Sequence, residues 1–227
     1  MNHSIMNYFK VIYTIVWKDI LIESRSKELV VSVFSFSLLV MFIFSFGIDP
    51  TPNMLVVVGP AIFWISIIIG STNGLTQSIA SEAGENHLDL LLLAPTSRDS
   101  IFFGKMIANL SIMLLIEFIL LPVAIVILDI KFDLLYTILV TILATLGISL
   151  TGTLFATMSA NTKYKELVLP LIFIPIVIPI LLSAIGAFKS IALADQNNLQ
   201  TWIAFLLIAD AIFLVICPLG FTQITQD

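Results

Sequence analysis

SEAGENHLDLLLLAPTSRDSIFFGK, residues 81–105, is the longest polar interruption between two strongly apolar segments of this chain. It begins acidic at Glu82, Glu85 and Asp89, becomes four consecutive leucines from Leu90 to Leu93, and stops at Pro95. The pattern predicts a short helix with one apolar face, held between two membrane spans. Such a helix suits docking against another protein, and nothing in it suits catalysis. The expected docking and coupling segment covers 81–100, with Glu82, Glu85, His87, Leu88, Asp89, Leu91, Leu92, Pro95 and Arg98 as its contact residues.

The apolar flanks set the class of protein. Hydrophobic residues make up 59% of the 227, charged residues only 11%, and the mean hydropathy is +1.11. A soluble domain carries about 25% charged residues. This chain cannot cover itself with polar surface in water, so it is read as an integral membrane protein with a single transmembrane domain over 1–227. A span needs about 20 apolar residues. Six segments qualify, at 28–48, 55–79, 101–127, 134–158, 167–188 and 201–220. Helix is their expected state, because a span in lipid must satisfy its own backbone groups.

The distribution of Lys and Arg predicts the orientation. With the N-terminus in the cytoplasm, that side holds Lys10, Lys18, Arg25, Lys27, Arg98, Lys105, Lys163 and Lys165, against Lys131 and Lys189 outside. This asymmetry favours both termini, and the 81–100 segment, in the cytoplasm. The external loops, about 49–54, 128–133 and 189–200, are too short for a folded domain. Residues 5–24 are different. Phe9, Ile12, Tyr13, Val16, Trp17, Ile20 and Leu21 recur at helical spacing, with Lys10, Thr14 and Lys18 on the other face. That is an amphipathic helix expected to lie along the membrane interface; packing on a soluble partner is the other reading. The N-terminus lacks the layout of a secretory signal peptide.

Within the spans, three features stand out. The fourth is rich in small residues (Ala144, Gly147, Ser149, Thr151, Gly152, Thr153, Ala156), which let helices approach closely in lipid. The fifth contains Pro170, Pro175 and Pro179, each expected to bend or break the helix, as a hinge, a cavity wall or a static kink. Glu117 and Asp210 lie well inside the third and sixth spans. Intramembrane carboxyls usually face the bundle interior or a cavity. They fit a proton or substrate relay, or protonated carboxyls hydrogen-bonded to a neighbouring helix.

Enzyme chemistry finds little footing. Cys217 is the sole cysteine, and His3 and His87 are the only histidines, so no zinc or haem-ligand constellation forms and no metal site is expected. No phosphate loop, Gly-x-Ser-x-Gly elbow or His-Glu-x-x-His helix occurs, so no catalytic residue is assigned. No basic cluster suits nucleic acid.

Several segments, in order, resemble one family. They are Trp17 to Glu28 (WKDILIESRSKE), Gly59 to Trp64 (GPAIFW), Glu82 to Lys105, and Leu169-Pro170-Leu171 followed by Pro175 and Ile178-Pro179. Together with the length and the six-span layout they resemble CcmB, the haem exporter protein B family of bacterial cytochrome c maturation. One departure is Asn86, where the family usually has glycine. The resemblance implies an all-α permease of the ABC-2-like exporter type in the bacterial inner membrane. It implies a separate CcmA-like ATPase docked on the cytoplasmic face, a CcmC-like haem-handling membrane subunit, and a CcmE-like periplasmic haem chaperone reached indirectly. Haem would be a cargo of the complex, with no cofactor held by this chain. The other classes that fit the residues are an ABC permease for a different amphiphile, such as a lipid or drug, and a proton-coupled secondary transporter using Glu117 and Asp210. Glu117 and Asp210 belong to no motif of the resemblance.

Overall fold

The computed structural model describes residues 2–47, 52–84, 96–128, 133–160 and 165–225. They form seven helices and no strand: α1 (Asn2–Ser26), α2 (Glu28–Gly47), α3 (Pro52–Gly84), α4 (Arg98–Leu128), α5 (Leu134–Ala160), α6 (Lys165–Ala192) and α7 (Gln196–Ile224). Helices α2 to α7 are each long and apolar enough to cross a bilayer. They run alternately up and down, so α1, the end of α3, the start of α4, the end of α5 and the end of α7 share one face of the bundle.

The boundaries differ from the sequence reading in a systematic way. Helix α3 continues past the apolar run to Gly84, and α4 begins at Arg98. The polar interruption is therefore shorter than its composition suggested, because Glu, Ala, Lys and Arg are good helix formers whatever their polarity. At the opposite face, α6 and α7 run to within three residues of each other, from Ala192 to Gln196. Asp195 caps α7 by accepting the Asn198 N–H at 3.2 Å. The expected external loop 189–200 is thus almost wholly helical.

Helix α1 turns into α2 at Lys27, whose φ of 56° lies in the left-handed region. The turn is held from both sides. The Lys27 N–H donates to Glu23 O at 2.7 Å, and the Glu23 carboxylate accepts the Val30 N–H at 2.8 Å, capping a donor at the start of α2. Phe9, Tyr13 and Trp17 on α1 are exposed, and Tyr13 stacks on Trp17. The predicted apolar stripe therefore faces away from the protein, as an interfacial helix requires. A second face, carried by Val11 and Ile15, packs on α4. Ile15 was absent from the predicted stripe, yet it is the buried residue that docks the helix.

Two clusters form the core. The larger joins α2, α3, α4, α5, α6 and α7 around Phe63, Trp64 and Phe188, whose rings stand 5.3–5.6 Å apart. The smaller lies at the α1 face and joins Ile15, Ile101, Phe102, Met106, Leu150, Leu154, Cys217 and Phe221. Helices come close where glycine removes a side chain. A Cβ on Gly70 would strike Ser37 of α2, and one on Gly186 would strike the Trp202 indole. A Cβ on Gly104 would lie 2.9 Å from the Ile15 Cβ. Gly104→Leu is expected to force α1 off α4, lowering stability by about 1–3 kcal/mol. Thermal unfolding in mild detergent and protease access to residues 2–26 measure the two effects.

Candidate functional site

Glu117 of α4 and Asp210 of α7 are both buried, at 1% and 4% exposure. No hydrogen bond joins them. Each instead meets α5. The Thr145 hydroxyl bonds the Glu117 Oε2, and also approaches Thr141 O at 2.6 Å. Asp210 Oδ1 lies 2.5 Å from where a Cβ on Gly147 would stand. Thr145 and Gly147 are two residues apart, roughly 200° around a helix of 3.6 residues per turn. The two carboxyls therefore grip α5 from opposite sides at nearly the same depth.

Hydrogen counting constrains the Glu117 contact. A threonine hydroxyl has one proton and two acceptor lone pairs. Thr145 faces two acceptors, Thr141 O and the Glu117 carboxyl. Both contacts are hydrogen bonds together only when the carboxyl supplies a proton of its own. Glu117 Oε1 and both Asp210 oxygens have no hydrogen-bond partner among the described residues. The same holds for the buried Thr137 and Thr141 hydroxyls and for Trp64 Nε1.

The α4–α5 contact is polar beyond Glu117. Asn109 Nδ2 donates to Thr153 Oγ1 at 3.1 Å, and the Ser149 hydroxyl donates to Met106 O at 2.7 Å. Sequence reading singled out Glu117 but took Ser149, Thr151 and Thr153 for small packing residues. The signal it passed over is a hydroxyl at every fourth position of α5.

The segment 81–100, expected to dock a partner, is described only at its borders. Glu85, His87, Leu88, Asp89, Leu91, Leu92 and Pro95 lie outside the described residues, and Glu82 is placed only by its backbone, in the last turn of α3. Arg98 opens α4. Its guanidinium reaches Thr222 O at 3.5 Å and Thr225 Oγ1 at 3.4 Å, while the Thr222 hydroxyl donates to Asp99 Oδ1 at 3.0 Å. These contacts tie the start of α4 to the end of α7. The N-terminal part of α1 joins the same group. Burial, and then the Asp99 carboxylate, raises the Tyr8 phenol above its ordinary range.

The three prolines do not interrupt α6. It is one helix through Pro170, Pro175 and Pro179. Pro175 and Pro179 are exposed on its outer side, next to Leu171, Ile178 and Leu182, so they line no interior cavity. The inner side, carrying Phe173, Val177, Ile180 and Ala184, is held in the core and keeps the helix continuous.

Among the described residues no group of three or more His, Cys, Asp or Glu could hold a metal ion. A small recess at the face opposite α1 is lined by Asp133, Tyr136, Ser190, Asp195, Gln196 and Leu199. Its Asp195 carboxyl is already engaged by Asn198.

A family model described as CcmB protein matches residues 10–225. The chain belongs to the CcmB family. Membership makes it a multi-pass membrane permease component of the haem-exporter ABC type, linked to cytochrome c biogenesis and to an ATPase partner. No curated protein matches the chain. The match covers α1 from Lys10, all six spans and the intervening segment 85–95, so the family frame applies to the whole bundle.

The grip on α5 yields a stability test. Thr145→Val removes the hydroxyl that meets Glu117 and is expected to cost about 0.6–2 kcal/mol, the range for hydrogen bonds between helices in membranes. Gly147→Val should cost about 1–3 kcal/mol by driving Asp210 and Ile180 from α5. Thermal unfolding in detergent compares the two with Thr151→Val, whose hydroxyl bonds only its own helix.

Proposed function

We propose that this chain is the passive transmembrane half of an ABC-type machine in cytochrome c maturation. A CcmA-like ATPase docks on segment 81–100 and does the nucleotide chemistry. The chain turns that movement into tilting or sliding of α3 and α4. The complex includes a CcmC-like haem-handling subunit and serves haem delivery, or release of the haem-loaded CcmE-like chaperone. It sits in the bacterial inner membrane with the α1 face, both termini and segment 81–100 in the cytoplasm, as the distribution of Lys and Arg favours.

The observation that carries this reading is the match over residues 10–225 joined to the layout of α3 and α4. The segment hangs between the ends of two long helices, 33 and 31 residues, that run unbroken into the core. A helix of that length is stiff over the thickness of a bilayer. Displacement of the segment is therefore handed to the core instead of being absorbed in a loop. Binding energy shifts a bundle only through contacts that differ between its states. The acidic start (Glu82, Glu85, Asp89) and the leucines (Leu88, Leu91, Leu92), closed by Pro95, supply those contacts to the partner together with His87 and Arg98.

Two measurements test the reading. Reversing charge at Glu82, Glu85 and Asp89 together should abolish co-purification of the ATPase from native membranes while the chain itself still accumulates. Retention of the ATPase at the unaltered level would remove the docking assignment. Deleting the chain should abolish c-type cytochromes, seen as loss of covalent haem on denaturing gels. Normal cytochromes would point to an ABC permease for another amphiphile.

A further inference from the structure

Helix α5 carries a hydroxyl at every fourth residue: Thr137, Thr141, Thr145, Ser149, Thr153 and Thr157. All six are buried, none above 4% exposure. At 1.5 Å per residue the row runs about 30 Å, close to the thickness of the hydrocarbon core. Residues four apart form one ridge on a helix surface. Two side chains of α4 read this ridge, Glu117 at Thr145 and Asn109 at Thr153. Glu117 and Asn109 are eight residues apart, as are Thr145 and Thr153, so each helix offers the same spacing of about two turns.

A matched spacing laid on a repeat of four has more than one solution. Moving α4 by four residues along α5, about 6 Å, brings Glu117 to Thr141 and Asn109 to Ser149. Both new partners are buried hydroxyls. The Thr141 hydroxyl has no hydrogen-bond partner among the described residues, so it is free to receive Glu117. Ser149, which now donates to Met106 O, would find the Phe102 carbonyl one turn earlier on α4. Its oxygen could accept from Asn109 at the same time, since a hydroxyl both donates and accepts. The opposite face of α5 need not move. Gly147 stays against Asp210 and Ile180 while α4 travels.

We propose that α4 slides on α5 by one helical turn, between two registers that the hydroxyl row of α5 satisfies alike. The motion is a ratchet of one packed element past another, which moves between discrete states instead of deforming continuously. In the second register α4 stands about 6 Å further from the α1 face. The slide is a property of this chain's own seam and does not depend on which partner drives it.

Paired cysteines read the register in native membranes that hold the intact complex, in a Cys217→Ser background. Asn109→Cys with Thr153→Cys reports the register described here, and Asn109→Cys with Ser149→Cys reports the shifted one. Short bifunctional thiol crosslinkers are applied without nucleotide, with ATP, and with ATP plus vanadate. Both pairs are expected to crosslink, with the ratio of yields changing between nucleotide states. Thr141→Val should then lower the 109–149 yield about threefold to fivefold, the effect of one hydrogen bond between membrane helices, and leave the 109–153 yield intact. That second yield also reports folding, because valine replaces an unpartnered hydroxyl with a group of its own size. Failure of the 109–149 pair in every state, or indifference of its yield to Thr141→Val, overturns the slide.

Discussion

Hydrocarbon offers no hydrogen-bond partner, and the arrangement of this bundle follows from that constraint. Backbone groups are satisfied within each helix. Side-chain hydroxyls solve the problem locally, by bonding the carbonyl one turn back, as Ser66, Thr72, Thr151 and Thr157 do. Groups too polar to be silenced this way must be turned toward another helix. Glu117, Asn109 and Ser149 are of this kind, and all three take their partners across the α4–α5 contact. Apart from the Ser37–Ser66 bond between α2 and α3 and the unpartnered Asp210 of α7, the polar contacts of the interior among the described residues fall on that seam, while the lipid-facing sides of α2, α6 and α7 carry mainly Leu, Ile, Val and Phe.

That concentration depends on close approach elsewhere. In lipid, helices associate through packing, and glycine sets how near they come. Gly70 lets α3 reach Ser37 and Val33 of α2, where the Ser37 hydroxyl finds Ser66 O at 3.0 Å. Gly152 admits Leu75, and Gly186 seats the Trp202 ring against α6. These contacts join α2 to α3, α3 to α5 and α6 to α7, mainly through apolar packing. The α4–α5 contact is the exception, since its hydrogen bonds repeat with the pitch of the helix.

Much of this was legible in the sequence, and the rest was hidden for identifiable reasons. Six spans could be read because apolar runs longer than 20 residues have no other stable state in this composition. Their ends could not, because Glu82 to Gly84 and Arg98 to Ser100 are mostly polar and helical at once. The lipid-facing stripe of α1 was visible in Phe9, Tyr13 and Trp17, but Ile15, one face over, is recognised as the anchor only when Gly104 lies opposite. Glu117 and Asp210 stood out as carboxyls in apolar runs. Their shared dependence on α5 did not, since contacts between distant helices leave no mark on local periodicity. The prolines were visible too, and α6 runs through all three as one helix. Packing on the inner side of α6 offsets their tendency to break a helix, and Pro175 and Pro179 stand on the exposed side.

The division of the bundle suggests where motion can and cannot enter. Phe188 of α6 sits in the aromatic cluster with Phe63 and Trp64 of α3, and Ile180 of α6 meets α5 at Gly147. These three helices, with α7 seated on Gly186, form a wall whose side chains interlock in one arrangement. Interlocked cores of this kind resist gradual deformation. Helix α4 stands against that wall with α1 riding on it through Ile15, and its start is held to α7 by Ile101 and Phe102 packed on Cys217 and Phe221, by the long Arg98 contacts and by the Asp99–Thr222 bond. The Arg98 contacts, at 3.4–3.5 Å between half-buried groups, are weak compared with that packing. Displacement of α4 along the wall therefore has to release Phe102 from Phe221 as well as these polar contacts.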